Sequence, residues 1–354
     1  MEQKEYNVIG VMSGTSLDGL DIALVKFVEH NNKWLFDLIA GETYEYDKKW
    51  KEKLITASSL PVTDFLLLHR EYGQFISDRI KDFLEEYDNH VDIISSHGHT
   101  VIHRPDLKTT FQLGDGYTIA KNTQITTIAD FRTKDVVMNG QGAPLVPYGD
   151  KLLFEEYDYC INLGGFANIS YDIKGTRYAF DICPVNTIIN FYAEKLSLSY
   201  DIDGRTAKKG KLNRELLGKL NQIRFYRSLS PKSLGIEWLE REFIPVIESY
   251  NIPIEDKLRT VYEHIAIQIA LSTTFNKDSK ILLTGGGAYN KFLVKLIRKR
   301  INHRIIIPDD YIIDYKEALI FGLLGLLRYQ NKINCLASVT GALKDTSCGI
   351  IYEP

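Results

Sequence analysis

The segment Asn7–Val25, NVIGVMSGTSLDGLDIALV, is the stretch from which the fold can be predicted. Two short apolar runs, Val8–Met12 and Leu20–Val25, have the length of buried strands and are too short for helices. The turn between them, Ser13–Gly19, contains two glycines, three hydroxyl side chains and Asp18. Glycine lets a backbone approach an anion closely, and backbone N–H groups with Ser and Thr hydroxyls suit phosphate oxygens. The turn is therefore either a phosphate-binding turn, with Asp18 able to hold a magnesium ion or its waters, or an ordinary tight turn.

Length and composition limit the class of protein. A chain of 354 residues exceeds the size at which one core usually stops growing, so two domains are expected. The net charge of −3, without a basic run, argues against nucleic acid as a partner. We expect no signal peptide, and the apolar run Ala318–Leu327 predicts a buried helix rather than a membrane span. The four cysteines form no CxxC pair, which favours a cytoplasmic enzyme that acts on small molecules.

The chain from Lys33 to Thr100 has the pattern of an α/β unit. We predict a strand over Lys33–Tyr44, a helix with an apolar face from Phe65 to Phe83, and a buried strand over Asp92–Ser96. The last strand ends in His97-Gly98-His99-Thr100. Because open α/β sheets bind ligands at such strand ends, these polar residues are candidates for a site.

The histidines His97, His99 and His103 allow two interpretations. They could be metal ligands, but neither an HExxH sequence nor a carboxylate triad accompanies them. They could instead form hydrogen bonds to a polar substrate, which the absence of a metal motif favours.

A further strand end, Ile128–Arg132, brings Asp130 and Arg132 together in the sequence. The pair is either a structural salt bridge or part of a site. The Gly- and Pro-rich segment Asn139–Pro147 then predicts a loop, and we place the first crossing between domains near it.

The second half of the chain repeats the plan of the first. Strands are predicted over Tyr159–Leu163 and Phe166–Tyr171, with the glycine turn Gly164-Gly165 between them, and a third strand covers Arg177–Phe180. Each half thus begins with the same order of elements, namely a strand, a glycine turn, a returning strand and a further strand. This indicates an internal duplication of architecture, although the residues barely match.

Asp181 follows the third of these strands and precedes an amphipathic helix that begins after Asn186. A carboxylate in this position is well placed to act as a general base. It would be equally suited to cap the N-terminus of the helix.

A strand over Lys280–Leu283 leads into Thr284-Gly285-Gly286-Gly287-Ala288, and a helix follows from Asn290. Glycines before a helix N-terminus admit phosphate closely, so this segment predicts nucleotide binding in preference to a tight packing turn. Two weaker predictions are a polar loop over Asp201–Asn213 and a capping box, Thr260-x-x-Glu263, that opens a helix toward Ser272.

Taken together, the motifs resemble one family, the anhydro-N-acetylmuramic acid kinases of cell-wall recycling. The resemblance runs from Ile9 to nearly the C-terminus. The segments that carry it are GVMSGTSLDGLDIAL, SHGHTVIHRP, DFRTKDV with GQGAPLVP, NLGGFANIS, PKSLG, TGGGAYN, EALIF and SVTGA. The ordered set is highly specific, although no single segment would suffice.

The resemblance implies an α/β fold of two duplicated actin-like, hexokinase-like (ribonuclease H-like) domains around an interdomain cleft. We place the N-terminal domain at 1–127 with about 336–354, and the C-terminal domain at 128–335. The implied partners are ATP with magnesium and a sugar, with neither nucleic acid nor membrane, and a homodimer by analogy alone.

The resemblance also implies roles for individual residues. Asp181 matches the catalytic carboxylate, and Asp18 is implied near the metal. The positions implied for ATP are Gly14, Thr15, Ser16, Leu17, Asp18, Gly19, Leu20, Asp21, Gly164, Gly165, Gly285, Gly286 and Gly287. The positions implied for the sugar are His97, His99, Arg132, Gln141 and Glu317.

The implied reaction opens the internal bridge of 1,6-anhydro-N-acetylmuramic acid. Water, deprotonated by Asp181, attacks the anomeric carbon, and the released O6 takes the γ-phosphate of ATP to give N-acetylmuramic acid 6-phosphate. The sequence departs from the family at Ile182-Cys183-Pro184-Val185, where Thr-Gly-Pro-Gly is common, and at His99, where Gln is usual. Two alternatives therefore stay open, namely a weakened sugar sensor on the same fold and a kinase of another amino sugar.

Overall fold

The opening segment forms two antiparallel strands in a computed structural model that describes residues 4–14, 16–31, 33–87, 89–228, 232–274 and 278–354. Strand β1 (Lys4–Ser13) pairs with β2 (Gly19–His30) from Lys4↔Glu29 to Ser13↔Leu20. Both strands are apolar on both faces, and Val8, Ile22 and Leu24 are fully buried. The two strands predicted from the sequence are thus confirmed.

These strands belong to a mixed sheet in a unit that runs to Phe154 and resumes at Tyr315–Pro354. The sheet has the order β12-β6-β4-β1-β2-β3, with β5 paired to β4. Its remaining strands are β3 (Lys33–Glu45), β4 (Ile93–Arg104), β5 (Thr109–Leu113), β6 (Thr127–Ala129) and β12 (Ile350–Tyr352). Strand β4 is parallel to both β1 and β6. The carboxyl ends of these three strands, which carry the polar residues, therefore lie at the same edge of the sheet.

Helices cover this sheet, and the predicted apolar face of the longest one is buried. Its side chains Leu68, Tyr72, Ile76 and Phe83 pack into the core of the unit. The helices of this unit are α1 (Lys48–Thr56), α2 (Val62–Glu86), α3 (Gly116–Thr123), α4 (Thr133–Val137), α5 (Val146–Leu153) and α14 (Ala337–Thr340). Helix α13 (Asp310–Tyr329) contains the boundary between the units, and its predicted apolar part is buried.

The second unit, Glu155–Asp314, contains a sheet of order β11-β10-β7-β8-β9. Its strands are β7 (Tyr159–Leu163), β8 (Phe166–Ile173), β9 (Thr176–Pro184), β10 (Lys280–Thr284) and β11 (Arg304–Ile306). Strands β7, β8 and β9 are antiparallel neighbours in chain order, and β10 and β11 follow as parallel strands on the other side of β7. This arrangement repeats the β3-β2-β1-β4-β6 order of the first unit. The predicted duplicated α/β fold is therefore confirmed.

The helices of the second unit pack around a core that includes Ile161, Ile188 and Ile265. They are α6 (Asn186–Glu194), α7 (Arg205–Lys209), α8 (Arg214–Asn221), α9 (Ile236–Trp238), α10 (Ile244–Glu248), α11 (Ile254–Ser272) and α12 (Lys291–Arg298). Among the described residues of the whole chain, none of the helices is long and apolar enough to cross a membrane.

The bounds of the two units depart from the predicted bounds near 127 and 335. Residues 128–154 belong to the first unit because β6 pairs with both β4 and β12, and because Asp150 forms an ion pair with Lys316 at 2.7 Å. The segment from Tyr315 also belongs there, since the Phe321 carbonyl accepts a hydrogen bond from Ser95 of β4 at 2.5 Å. A loop rich in Gly and Pro thus lies within a unit rather than between units.

Two local predictions in the second unit are wrong. Thr260 lies in the interior of α11, where its hydroxyl bonds to the Asp256 carbonyl, and the helix has already begun at Ile254. The polar segment after Asp201 is not all loop, because α7 covers Arg205–Lys209 and the Asp201 carboxylate accepts hydrogen bonds from the N–H groups of Thr206 and Ala207 in its first turn. In both cases a short polar pattern was outweighed by tertiary packing.

Gly10 in β1 provides a test of the packing between this sheet and α13. A Cβ at Gly10 would lie 2.0 Å from the Ala318 carbonyl oxygen, a backbone atom that cannot move alone. We expect Gly10→Ala to destabilise the protein by about 1–3 kcal/mol in urea unfolding. Gly218→Ala is the matched control, since a Cβ there meets nothing within 4 Å, and we expect it to stabilise α8 by about 0.5–1 kcal/mol. Equal stability of the two variants would contradict the close packing.

Candidate functional site

The turn between β1 and β2 places polar groups in solvent. Ser16 and Asp18 are exposed, Leu17 has a positive φ of 59°, and the Leu17 N–H lies 3.4 Å from the Gly14 carbonyl. Gly19 and Leu20, which were also predicted to bind ATP, are buried, and Asp21 accepts a hydrogen bond from Thr43 at 2.7 Å. Thr15, also predicted to bind ATP, lies outside the described residues.

His97 of β4 has both ring nitrogens bonded within the protein. Its Nδ1 lies 2.8 Å from the Gly98 carbonyl, which can only accept, so Nδ1 carries the proton. Its Nε2 accepts from Arg132 Nε at 2.9 Å. Burial lowers the pKa of His97 well below its usual value, and the nearby Arg132 charge lowers it further, so the ring is neutral. This arrangement orients the guanidinium of Arg132.

Arg132 also donates from Nη1 to the Gly142 carbonyl at 2.5 Å. The same glycine donates its N–H to the buried carboxylate of Asp135 at 2.8 Å, so this loop residue is held on both sides. The Asp135 carboxylate accepts further bonds from Thr340 at 2.8 Å and from the Cys335 thiol at 3.1 Å. The sequence analysis did not single out Asp135. The feature that could have indicated it is an acidic residue just inside α4, three positions after Arg132.

The salt-bridge interpretation of Asp130 and Arg132 is not supported. Asp130 accepts from the Thr133 N–H at 3.1 Å, whereas Arg132 bonds to His97 and Gly142. Gln141 donates its backbone N–H to the Thr340 carbonyl at 2.8 Å, and its side chain is exposed. Asp130 and Arg132 thus bond to different groups.

Glu317 of α13 belongs to the same unit and interacts electrostatically with Arg132. Burial raises the pKa of Glu317, while Lys316 and Arg132 oppose that rise. Burial lowers the pKa of Arg132 to about 10, while Glu317 raises it. Arg132 is therefore a half-buried cation at neutral pH, with an acidic neighbour and with guanidinium N–H groups beyond the two that bond to His97 and Gly142.

Asp181 lies inside β9, and α6 begins at Asn186 with Val185 as its N-cap, so the capping interpretation of Asp181 is wrong. Among the described residues, its carboxylate accepts one hydrogen bond, from the Leu234 N–H at 2.7 Å, and its own N–H donates to the Lys232 carbonyl at 3.1 Å. Burial raises the pKa of Asp181 to about 6, and the Leu234 bond opposes the rise. A carboxylate with this pKa is suited to accept a proton near neutral pH.

The segment after Asp181, Ile182–Val185, differs in its side chains from the Thr-Gly-Pro-Gly pattern expected from the resemblance. Ile182, Cys183 and Val185 are buried in the core of the second unit, and burial raises the pKa of the Cys183 thiol. Lys232 lies between two rings, 4.5 Å from that of Phe225 and 5.4 Å from that of Phe180. Pro231, of the predicted PKSLG turn, lies outside the described residues. Buried side chains thus stand where Thr and two glycines were expected, and Asp181 itself lies within β9.

The glycines of the predicted ATP turns fall into two groups. In the first, packing within the protein excludes a side chain, because a Cβ at Gly285 would lie 2.2 Å from Asn162, at Gly287 2.7 Å from Leu163, at Gly165 2.7 Å from Thr187, and at Gly19 2.7 Å from Thr43. The packing-turn interpretation therefore accounts for these four.

The second group is not explained by packing. A Cβ at Gly286 would meet its nearest atom, Asn186 Nδ2, at 3.6 Å, and Cβ atoms at Gly164 and Gly14 would meet theirs at 3.5 and 3.4 Å. None of these three glycines has a positive φ. Each predicted ATP turn thus contains one glycine that the protein's own structure does not require.

The metal interpretation of the histidines gains no support. The described residues contain no group of three or more His, Cys, Asp or Glu side chains able to hold a metal ion. His103 Nδ1 lies 3.2 Å from the Thr110 hydroxyl, and His97 has no nitrogen left for a ligand. The one residue predicted near magnesium, Asp18, is an exposed oxygen donor, which suits an ion held mainly by phosphates and water.

Comparison with known proteins gives a consistent result. A family model described as anhydro-N-acetylmuramic acid kinase matches residues 6–354. Relatives with that name include a protein of Hydrogenovibrio crunogenus, 33% identical over 98% of this chain and 98% of its own. Another, of Vibrio vulnificus, is 33% identical over 100% of both chains. One of Caldanaerobacter subterraneus is 29% identical over 96% of this chain and 95% of its own.

Among solved structures, the (R)-2-hydroxyglutaryl-CoA dehydratase component A of Acidaminococcus fermentans aligns over 90% of this chain and 97% of its own, with 12% identity and a TM-score of 0.44. A putative N-acetylmannosamine kinase of Listeria monocytogenes aligns over 92% and 100%, with 12% identity and a TM-score of 0.38. Scores this low add nothing to the assignment, which rests on the full-length matches in sequence. The chain therefore belongs to the anhydro-N-acetylmuramic acid kinase family of enzymes.

Proposed function

We propose that this enzyme uses ATP to open 1,6-anhydro-N-acetylmuramic acid and to phosphorylate O6, giving N-acetylmuramic acid 6-phosphate in peptidoglycan recycling. In this reaction water adds to the anomeric carbon and loses a proton to a base. The bridging C1–O6 bond breaks, and the freed O6 forms a bond to the γ-phosphorus as ADP leaves. The chain must therefore supply a base, a sugar site and a phosphate site.

The observation that carries the proposal is the state of Asp181. Its pKa of about 6 allows it to be ionised at neutral pH and still to accept a proton readily. Among the described residues, the Leu234 N–H binds one carboxylate oxygen, and the half-buried side chain leaves the other within reach of a water molecule.

The sugar side of the proposal rests on Arg132 and Glu317. Muramic acid carries a lactyl carboxylate and several hydroxyls, and a half-buried guanidinium with N–H groups that His97 and Gly142 do not use suits the carboxylate. Glu317 provides acceptors for hydroxyls. His97 and Asp135 hold Arg132 and Gly142 in place, which is a positioning role rather than contact with the sugar.

The ATP side rests on the glycines that packing does not require. A Cβ at Gly14, Gly164 or Gly286 would meet its nearest atom at 3.4–3.6 Å, an ordinary contact that the protein alone would allow, as expected where phosphate or nucleoside approaches the backbone. Magnesium would neutralise charge on the phosphates, and Asp18 would hold the ion or its waters.

Gly286→Ala tests the ATP side without disturbing the fold. Because its Cβ fits the protein alone, we expect unchanged or slightly raised stability. A methyl group in the path of the nucleotide should raise the KM for ATP by about 10-fold or more, since close contact is lost. The measurement is the KM for ATP with the sugar saturating, and Gly218→Ala is the control. An unchanged KM would mean that Gly286 does not face the nucleotide.

The test of the whole function is ADP release with magnesium-ATP and 1,6-anhydro-N-acetylmuramic acid, against N-acetylglucosamine and glucose. Turnover confined to the anhydro sugar supports the proposal. Faster turnover of ordinary hexoses would favour a kinase of another sugar. ATP binding without turnover of any sugar would favour the weakened sensor, which the apolar Ile182–Val185 segment keeps as the second candidate.

A further inference from the structure

Two cysteines of the C-terminal segment, Cys335 and Cys348, lie side by side in the first unit. Their exposed fractions are only 2% and 1%, and both are free thiols. Cys335 forms a backbone bridge with Thr346, and the Asn334 side chain bonds to both the N–H and the carbonyl of Cys348, at 2.7 and 2.8 Å. The two thiols form a hydrogen bond with each other, which changes the pKa of both. The backbone thus holds two thiols next to each other.

Cys335 is also linked to Arg132 on the sugar side. Its thiol donates to Asp135 Oδ1 at 3.1 Å, and Asp135 Oδ2 accepts from the Gly142 N–H at 2.8 Å. The Gly142 carbonyl in turn accepts from Arg132 Nη1. Asp135 is fully buried, so water cannot replace a donor that its carboxylate loses. A chain of hydrogen bonds thus connects the Cys335 thiol with the guanidinium.

The C-terminal segment also holds the loop after α4 by its backbone. The Thr340 carbonyl accepts from the Gln141 N–H at 2.8 Å, and the Thr340 hydroxyl donates to Asp135 at 2.8 Å. A Cβ at Gly140 would lie 2.0 Å from Asp135 Oδ2, so the loop packs on this carboxylate without spare room. A change in the segment that carries the two cysteines is therefore transmitted to the loop that contains Gly142.

We propose that Cys335 and Cys348 form a redox-sensitive modification site, which hydrogen peroxide converts to a disulfide and a thiol reductant restores. The disulfide weakens binding of the sugar, because the Cys335 sulfur then carries no proton to donate to Asp135. The modification site itself does not depend on the proposed function, whereas the effect on the sugar rests on it.

The oxidation consumes one hydrogen peroxide. Cys348 reacts first, because a hydrogen bond from Cys335 lowers the pKa of its thiol and one from Thr346 lowers it further, against the effect of burial. Its sulfur attacks one peroxide oxygen, the O–O bond breaks, and a sulfenic acid and water form. Cys335 then attacks this sulfur, the S–S bond forms, and the Cys335 proton leaves with the hydroxyl group as a second water. Two thiols and one peroxide thus give a disulfide and two waters.

The segment between the cysteines lies near the surface, which gives the oxidant access. Ile333 and Leu343 are 43% and 74% exposed, and Asp345 is exposed as well. A short surface segment opens locally at a lower free energy than a core strand or helix. Hydrogen peroxide is little larger than water, so a small opening is sufficient.

Mass spectrometry after treatment with hydrogen peroxide tests the site without substrate. The remaining thiols are alkylated in denaturant, and cleavage after Lys344 separates the two cysteines. We expect a cross-link between the peptides of Cys335 and Cys348 that dithiothreitol removes. Cys160 and Cys183 are also buried and free, so they are the internal controls and should remain open to alkylation. Oxidation of the pair without a cross-link, or no faster than that of the controls, would overturn the site.

The kinetics of the oxidised protein test the link to the sugar. The KM for the anhydro sugar should rise by about 10-fold, as for the loss of one hydrogen bond to a charged group, with little change for ATP. Dithiothreitol should restore the first value. Cys348→Ser is the matched control, because it cannot form the disulfide and keeps the hydrogen bond from Cys335 to Asp135. Its kinetics should equal those of the reduced wild type before and after peroxide. A disulfide with an unchanged KM for the sugar would overturn the link.

Cys335→Ala and Cys335→Ser separate the lost donor from the disulfide. The Ala variant has no donor to Asp135, so without peroxide it should show the raised sugar KM of the oxidised wild type, while an unchanged KM for ATP shows that it is folded. The Ser variant retains a hydroxyl donor and should keep its sugar KM within about 3-fold of the wild type. Equal sugar KM values in the two variants would overturn the role of the thiol. If the disulfide forms but the reduced wild type turns over no anhydro sugar, the proposed function fails and the modification site stands.

Discussion

Replacing Asp181 by Asn should lower turnover of 1,6-anhydro-N-acetylmuramic acid by about 100-fold or more, because the base that takes the proton from water is removed. ATP binding should survive, since the change is nearly isosteric and Leu234 still finds an acceptor oxygen. Initial rates of ADP release and the affinity for a non-hydrolysable ATP analogue are the measurements. Asp158→Asn is the matched control, because Asp158 also accepts a backbone N–H, that of Lys280 at 2.8 Å, but is exposed. Retention of more than a few per cent of activity in Asp181→Asn would move the catalytic role to another residue.

The raised pKa of Asp181 has a second consequence, for stability. Its value of about 6 lies above the 3.8 of an unperturbed aspartate, so the folded protein binds the proton more tightly than the unfolded chain does. The ionised carboxylate therefore destabilises the fold above about pH 6, and this penalty disappears as the pH falls through 6 toward 4. Asp181→Asn should raise the unfolding midpoint relative to wild type at pH 8 but not at pH 4. Wild-type activity should fall below about pH 6 as the base becomes protonated. A flat pH profile between 5 and 7 would contradict the role of Asp181.

Replacing Arg132 by Lys should lower kcat/KM for the sugar by about 100-fold, because a single ammonium cannot reproduce the fork of the guanidinium. Arg132 bridges the His97 ring and the Gly142 carbonyl, which lie on β4 and on the loop after α4. Lysine would leave at least one of these acceptors unpaired and would shift the positive charge away from the sugar. The effect should fall on the kinetics with the sugar, with the KM for ATP changed little.

Arg104→Lys is the control for this change. Arg104 also forms two bonds, both to the Asp106 carboxylate, but it is exposed and outside the predicted site. Its replacement should leave the kinetics unchanged. If Arg132→Lys and Arg104→Lys had the same kinetics, Arg132 would be a structural residue and the sugar site would have to be sought elsewhere.

Much of the fold could be predicted because it depends on local patterns. The strands at Val8–Met12 and Leu20–Val25 and the helix face from Phe65 to Phe83 are apolar at strand or helix spacing, and those side chains are buried. The repeat of the sheet order was visible because strand, glycine turn and strand recur in each half. Patterns of three or four polar residues predicted the local structure less well. The Thr260-x-x-Glu263 pattern predicted a helix start, but Thr260 lies inside α11, because a helix that packs over its whole length does not need a cap in its interior.

The sequence by itself determined the family, the duplicated α/β fold and the identity of the candidate residues, because each depends on residues close together in the chain. Their partners within the protein are known only from the tertiary structure. It assigned Arg132 to His97 and Gly142 rather than to Asp130, brought in Asp135 through contacts with residues 200 and more positions away, and separated the glycines needed for packing from those that are not. It also decided the pKa of Asp181, because burial raises that pKa and the Leu234 N–H, which comes from a segment far along the chain, opposes the rise.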